Sequence, residues 1–364
     1  MALIGAEDRY LLWLSGIENL GGRRVLPLLE RFGSAEAVCN ASRDELKNCG
    51  LNEQHINSVL QHNRTELTDE YARGLDTAGV NLVTINNSTY PALLREIFDP
   101  PVCLYVLGEL PGDDAPKVSV IGSRRCSEYG LTVSRRMAKD LAANGVVVVS
   151  GMAKGIDSSA HIGALEGSGK TVAVLGCGVD VCYPAENKLL RERIINNGCV
   201  ISEYPLKTPP MAYHFPARNR IISGLSLATV VIEAAERSGT LITAGQALEQ
   251  GRDVFAVPGN VTSKLSRGTN ALIKQGAALV EGSVDILNLL DIPHGGDVKQ
   301  ATSGKTDLKP EERVVYDMIG DEPVSVTDIM QKSGSQAQTV QYILTMLEIY
   351  GLVEKLSGTR YIRR

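Results

Sequence analysis

Between residues 116 and 290 the chain alternates short, uninterrupted apolar runs with longer segments of helical periodicity. The runs are Val118–Ile121, Val146–Val149, Thr171–Leu175, Cys199–Ser202, Leu227–Ile232, Asp253–Val257 and Ala277–Val280, with Cys103–Leu107 as a further strand in front. Leu131–Ala143, Glu186–Asn196 and Leu241–Gln250 lie between them with helix-like spacing. A run such as Val146-Val-Val-Val149 shows no polar alternation, so its strand is buried on both faces. Strand–helix alternation of this kind predicts an α/β fold, a Rossmann-like doubly wound and mostly parallel sheet covered by helices.

The flanks read differently. Leu11–Leu14 begin an apolar helix, Ile17-Glu-Asn-Leu-Gly-Gly22 reads as a turn, and Val25–Phe32 forms a helix that stops at Gly33. Ser42-Arg-Asp-Glu45 has capping-box spacing ahead of the next helix, and Gly50-Leu-Asn separates that helix from another through Leu60. Residues 293–309 are polar and aperiodic and read as a linker. Beyond them come a helix over Glu311–Ile319, a capping box at Ser325-Val-Thr-Asp328, a helix from Gln336 to Tyr350, and two short strands about Ser357-Gly358. Three helices and a hairpin make a winged helix. The expected division is a helical domain at 1–82, a Rossmann-like domain at 83–292, a linker at 293–309 and a winged-helix domain at 310–364.

Charge changes the picture only once it is divided. The whole chain of 364 residues has a net charge of −5, which argues against nucleic acid as a partner. Residues 1–115, however, hold 9 basic and 17 acidic residues, whereas residues 116–290 hold 19 and 14. The predicted sheet is therefore net basic beneath an acidic head. No apolar run reaches the ~20 residues of a membrane helix. Glu7 and Asp8 stand where an export signal would be basic, which predicts a cytoplasmic protein. Seven scattered cysteines without a C-x-x-C pair suit a reducing compartment and predict no metal site.

The candidate chemistry sits at the ends of the predicted strands. Gly122-Ser-Arg124 follows the first clear strand: glycine lets backbone N–H groups reach an anion, the next helix N-terminus adds positive potential, and Arg124 offers a fork for phosphate. Ser150-Gly-Met-Ala-Lys-Gly-Ile-Asp157 makes a second donor loop through Ser150, Gly151 and Gly155, with Lys154 as a phosphate contact or a solvated cation. Asp157 reads as a helix cap in preference to a ligand contact, and His161 as a packing residue. In Phe215-Pro-Ala-Arg-Asn-Arg220, Arg218, Asn219 and Arg220 crowd a helix N-terminus. Cations there need a phosphate or a buried ion-pair network. Ser238-Gly-Thr240 is a further small-residue loop, and Val257-Pro-Gly259 with Arg267-Gly-Thr-Asn270 completes the ring around one sheet edge. Tyr183, Tyr213 and Phe215 are the aromatic candidates for base stacking.

Other patterns are missing. There is no Walker A sequence and no G-x-G-x-x-G after the first clear strand, and Gly176-Cys-Gly178 does not complete that pattern. Cys177 reads as a buried small residue, not as a nucleophile.

Gly122-Ser-Arg124, Ser150–Asp157, Tyr183-Pro184, Ser202-Glu-Tyr-Pro205, Phe215–Arg220, Ser238-Gly-Thr240 and Pro258-Gly259, in this order, resemble the DNA-processing protein A family (DprA, also called Smf) along essentially the whole chain. The head is similar to that family's helix-hairpin-helix or SAM-like domain, and the tail to its winged helix. The resemblance implies single-stranded DNA binding and protection, loading of the RecA recombinase during natural transformation (competence) or homologous recombination, and a homodimer formed through the Rossmann-like domain. It implies no cofactor and no catalysis. It assigns a DNA-binding pocket to Gly122, Ser123 and Arg124, with Lys188 and Lys207 as candidate basic contacts.

Two other classes compete. The Rossmann-like region also resembles nucleotide phosphoribohydrolases, whose P-G-G-x-G-T-x-x-E motif ends in a catalytic carboxylate. Here Thr243 stands at that place, and a hydroxyl does not supply the general acid–base chemistry. A duplex-DNA regulator acting through the winged helix would need positive charge, whereas residues 305–364 hold 8 basic and 9 acidic residues.

Overall fold

The computed structural model describes residues 5–17, 20–60, 69–294, 308–320, 322–350, 352–356 and 359–363. They form two compact units, Met1–Ile292 and Pro293–Arg364.

The first unit opens with helices α1 (Ala6–Ser15), α2 (Gly22–Phe32), α3 (Ala35–Asn40), α4 (Arg43–Asn48), α5 (Glu53–Leu60) and α6 (Asp69–Thr77). The predicted capping box at α4 is present: the Ser42 hydroxyl accepts from the Glu45 N–H, and the Glu45 carboxylate accepts from the Ser42 N–H. Gly33 ends α2 in the left-handed conformation, at φ 82°. Part of the expected turn after Ile17 and the end of the region beyond Leu60 lie outside the described residues.

The remaining elements are β1 (Val80–Thr84), α7 (Ala92–Arg95), β2 (Cys103–Gly108), β3 (Lys117–Ile121), α8 (Glu128–Ala143), β4 (Val147–Ser150), α9 (Ile156–Glu166), β5 (Thr171–Val174), α10 (Lys188–Asn196), β6 (Gly198–Ser202), α11 (His214–Gly224), β7 (Ala228–Val231), α12 (Gly239–Glu249), β8 (Asp253–Ala256), α13 (Arg267–Lys274), β9 (Ala278–Leu279) and α14 (Ser283–Leu289). Their strands make one nine-stranded sheet in the order β1-β2-β6-β5-β4-β3-β7-β8-β9. From β6 to β9 every pairing is parallel, while β2 joins β6 and β1 joins β2 antiparallel. All residues of β3 to β7 are buried, as uninterrupted apolar runs require.

β1 is an element that the apolar pattern does not announce, and it spans residue 82, where the sequence places the edge of the helical head. One continuous core joins the head to the sheet: Leu11, Leu14, Val25 and Leu46 pack in the same cluster as Val149, Val174 and Val200.

The chain runs outward from β3 in both directions along the sheet, through β4, β5 and β6 on one side and β7, β8 and β9 on the other. A ligand crevice is expected outside the carboxyl ends of the strands near such a reversal.

The second unit contains α15 (Pro310–Asp317), β10 (Val324–Ser325), α16 (Val326–Ser333), α17 (Ala337–Ile349), β11 (Val353–Lys355) and β12 (Arg360–Arg363). Its three-stranded sheet, in the order β10-β12-β11, and its own core about Val315, Ile329, Leu344 and Tyr361 make a winged helix. Ser325 caps α16 by accepting from the Asp328 N–H at 3.1 Å. The greater part of the expected linker, residues 295–307, and the hairpin tip Ser357-Gly358 lie outside the described residues.

Candidate nucleic-acid interface

Loops from three successive strand ends and one side of α11 converge on a cleft. Arg124 reaches it from the loop after β3, Gly151 and Ala153 from the loop after β4, and Leu175, Gly176 and Cys177 from the end of β5, with Tyr183, Phe215 and Arg218 closing it. Its volume is only about 10 Å³, room for about one water.

The floor is built first. Arg218, on α11, is 3 % exposed. Its guanidinium donates to the Gly151 carbonyl at 2.9 Å and to the Val174 carbonyl, and its Nε donates to Asn219 Oδ1 at 3.3 Å. Burial pulls this guanidinium down to about 10, and the field of Asp157 works against that fall. Asp157 is itself buried, which pushes its carboxyl above the ordinary range, with Arg218 and the Ala153 N–H opposing. Glycine is required at 151, because a Cβ there would stand 2.6 Å from Arg218 Nη2.

Beneath this pair His161 is fully buried, and burial lowers its imidazole to about 3. The Thr171 hydroxyl donates to the Val148 carbonyl and accepts from His161 Nδ1 at 2.7 Å, which fixes a neutral tautomer. His161 is thus the packing residue that the sequence suggested. Asp157 does not cap α9, whose N-cap is Gly155; it accepts from the Ala153 N–H in the loop before the helix.

The rim is exposed. The Arg124 guanidinium lies 5.1 Å from the centre of the Phe215 ring, a cation–π contact, and Phe215 stands 5.5 Å from Tyr183. The loop that carries Arg124 is fastened through its backbone. The Ser123 N–H donates to the Glu233 carbonyl, the Ser123 hydroxyl accepts from the Arg125 N–H, and Gly155, at φ 81°, leaves room for the Ser123 carbonyl.

The N-terminus of α8, which the sequence offered to an anion, already has one. Ser127 caps it, and Ser127 N and Oγ both donate to the buried Glu233 carboxylate at 2.9 and 2.6 Å. Sequence reasoning passed over Glu233, although an acidic residue directly after the apolar run Leu227–Ile232 was a visible signal.

The other sequence candidates divide by position. Lys154 is exposed and pairs with Glu186; Lys188 and Lys207 are exposed nearby in the chain path that returns to the cleft through Tyr183 and Phe215. Ser150 is fully buried and donates to the Val120 carbonyl at 2.7 Å. Arg220 points away from the cleft lining. It pairs with Glu203 at 2.7 Å and donates to the Asp99 carbonyl at 2.9 Å, the buried ion-pair network that the sequence left open as an alternative. Ser238 caps α12 by accepting from the Thr240 N–H, and the hydroxyls of Ser238 and Thr240 bond to each other, so Ser238, Gly239 and Thr240 form a separate loop outside the cleft lining. Asn270 bonds Gly259 in both directions and ties the Val257-Pro-Gly259 turn to α13. Cys177 is 1 % exposed, and burial pushes its thiol up to about 11, out of nucleophile range. Among the described residues no cluster of three or more His, Cys, Asp or Glu could hold a metal ion.

Residues 81–291 match the model of the family described as DNA recombination-mediator protein A, and residues 299–359 match the DprA winged helix domain. The chain belongs to the DprA family. The DNA processing protein DprA of Streptococcus pneumoniae is 48 % identical over 204 residues, covering 56 % of this chain and 72 % of that protein. An X-ray structure of DprA from that organism superposes with a TM-score of 0.63 at 37 % identity, covering 80 % of this chain and 100 % of the other. A Helicobacter pylori DprA, whose structure is described as giving insights into a unique single-stranded DNA binding mode, superposes with a TM-score of 0.53 at 33 % identity over 59 % of this chain and 98 % of the other. Within this DprA chain the matched segment contains the whole cleft.

Proposed function

We propose that this chain binds single-stranded DNA across the carboxyl edge of its sheet and serves as a recombination mediator that loads RecA on that DNA during natural transformation or homologous recombination. The observation that carries the reading is Arg124, an exposed guanidinium seated on Phe215 above a floor that Arg218 and Asp157 hold rigid. A cation on an aromatic platform suits a phosphate with an adjacent base and reads no sequence. Gly122, Ser123 and the 151–155 loop position the contact, Lys154, Lys188 and Lys207 extend it, and Ser238–Thr240 offers a second set of donors. Arg218 and Asn219 act as supports. Ser150 and Arg220 belong to the fold.

The reading has no catalytic step and no cofactor. A cleft with room for about one water is far below the ~300–1,000 Å³ of small-molecule sites, and among the described residues no carboxylate lines it. Thr243, in the place of the hydrolase carboxylate, is 3 % exposed inside α12. Incubation with nucleoside monophosphates is expected to release no free base, and release would restore the enzyme reading.

For assembly we propose a homodimer through the Rossmann-like unit, because the outer strand β9 and the helix after it expose Leu279, Val284 and Leu289 at 48, 46 and 50 %. A Leu279→Asp substitution is expected to yield monomers in sedimentation. A cytoplasmic location fits this role; among the described residues no helix is long and apolar enough to cross a membrane. The test of the binding reading is fluorescence anisotropy on single- and double-stranded oligonucleotides. A preference for the single strand is expected, together with acceleration of RecA-driven strand exchange. Equal binding to duplex would refute the reading.

A further inference from the structure

The acidic head holds a feature at odds with its charge. Of the nine basic residues in 1–115, three line one groove: Arg23, Arg24 and Arg31. They share a face of α2 with Pro27 and Leu28, and the turn from α4 to α5, residues 48–51, forms the opposite wall. The groove has a volume of about 430 Å³, and among the described residues no carboxylate lines it. All three arginines are exposed, in a segment whose other cations are outnumbered by acidic groups. The Glu45 carboxylate, which also feels Arg31, is bonded by the Ser42 hydroxyl and N–H.

An independent observation indicates what fits there. Phe98, beside the groove, is 72 % exposed, and the Arg23 guanidinium lies 4.5 Å from its ring centre. Arginine over an aromatic ring is the pairing that Arg124 and the half-buried Phe215 also make at the cleft. The groove is also fixed to the cleft's own helix. The Asp99 carboxylate accepts from the Arg23 N–H at 3.0 Å and pairs with Arg220 at 3.3 Å, and Arg220 lies on α11, two residues from Arg218. Gly22 permits this docking, since a Cβ there would overlap the Pro100 carbonyl.

We propose that the groove of α2 and the α4–α5 turn holds a second stretch of the single-stranded DNA whose first stretch lies on the cleft, with Arg23, Arg24 and Arg31 on phosphates and Phe98 against a base. This rests on the single-strand reading of the cleft and assigns DNA contact to the head, whose overall charge hides it. The consequence is a footprint longer than one site: oligonucleotides beyond the ~4–16 nucleotides of a single stacking site gain affinity from the head.

The experiment uses the full chain, a short oligonucleotide of about 10 nucleotides and a long one of about 40, each titrated across salt. The triple variant Arg23→Ala, Arg24→Ala, Arg31→Ala is expected to bind the short strand within about twofold of the parent. It should lose about tenfold on the long strand, with a salt slope about 2 units shallower, at ~0.7 per phosphate. The triple Arg→Lys variant retains the slope, and circular dichroism melts show that both variants fold. Unchanged long-strand affinity and slope in the alanine variant overturn the inference, as does a loss confined to duplex DNA. Failure of the parent chain to bind either single strand instead overturns the cleft reading on which this rests, so the two failures are distinguishable.

Discussion

The floor and the rim of the cleft are built from the same few motifs and obey opposite rules. The floor, Arg218 with Asp157 and His161, is buried: Arg218 donates to main-chain carbonyls, Asp157 accepts from the Ala153 N–H, and His161 bonds the Thr171 hydroxyl. The rim, Arg124 against Phe215, is exposed at its guanidinium and held by backbone contacts in the loop behind it. A buried cation stabilises only while every partner is present, because an unpaired buried charge costs several kcal/mol. An exposed cation adds little to stability and stays available to a phosphate. The difference teaches that the two arginines of the cleft are not equivalent: on the proposed reading, floor residues set whether the site exists and rim residues set whether it binds.

The largest expected effect is therefore structural. Arg218→Met leaves the Gly151 and Val174 carbonyls without their donor and the buried Asp157 carboxylate without its compensating positive charge, and it is expected to cost about 3–5 kcal/mol in denaturant unfolding. A loss below about 1 kcal/mol would erase the distinction between floor and rim. Next comes Arg220→Met, which breaks the pair with Glu203 and the bond to the Asp99 carbonyl. About 2–3 kcal/mol of stability should go with it. Affinity for a short single strand, measured well below the melting temperature, should stay within about twofold. A tenfold affinity loss there would move Arg220 onto the rim.

The third effect concerns pH. The His161 imidazole titrates at about 3 in the folded chain and near 6.5 when unfolded. The unfolded chain thus takes up a proton that the folded chain refuses, so this contribution to stability is present above pH ~6.5 and is lost as the pH falls. Between pH 7 and 5 the loss is about 2 kcal/mol. A His161→Asn variant should remove that part of the pH dependence, and an unaltered profile would show that the imidazole is not held neutral.

The parallel core was legible because runs such as Val146–Val149 permit only a doubly covered strand. β2 was legible as a strand, but β1 and the antiparallel pairing of both were not, because pairing direction leaves no mark on periodicity. The ring of motifs at the strand ends was also legible, whereas the division into floor and rim was not. Ser150 ends a strand, and its inward face is fixed by pairing with β3 and β5, not by its neighbours in sequence. Arg218 and Arg220 stand two positions apart, yet their partners are distant: Val174 is 44 positions from Arg218, and Asp99 is 121 from Arg220. Glu233 was hidden for the same reason, since the helix end that it occupies begins 106 positions earlier. The net charge of −5 misled until it was divided, and within the acidic head an arginine groove was concealed again by its neighbours.

The central claim is that Arg124 touches DNA and does not hold up the fold. The direct measurement is a salt titration of single-stranded oligonucleotide binding by the parent chain and by Arg124→Ala, with a thermal melt of each. The account predicts about a tenfold weaker complex, about 1.4 kcal/mol, a log–log salt slope lower by about 0.7, and unfolding free energies equal within ~0.5 kcal/mol. A folded Arg124→Ala chain with the parent's affinity and slope would contradict it.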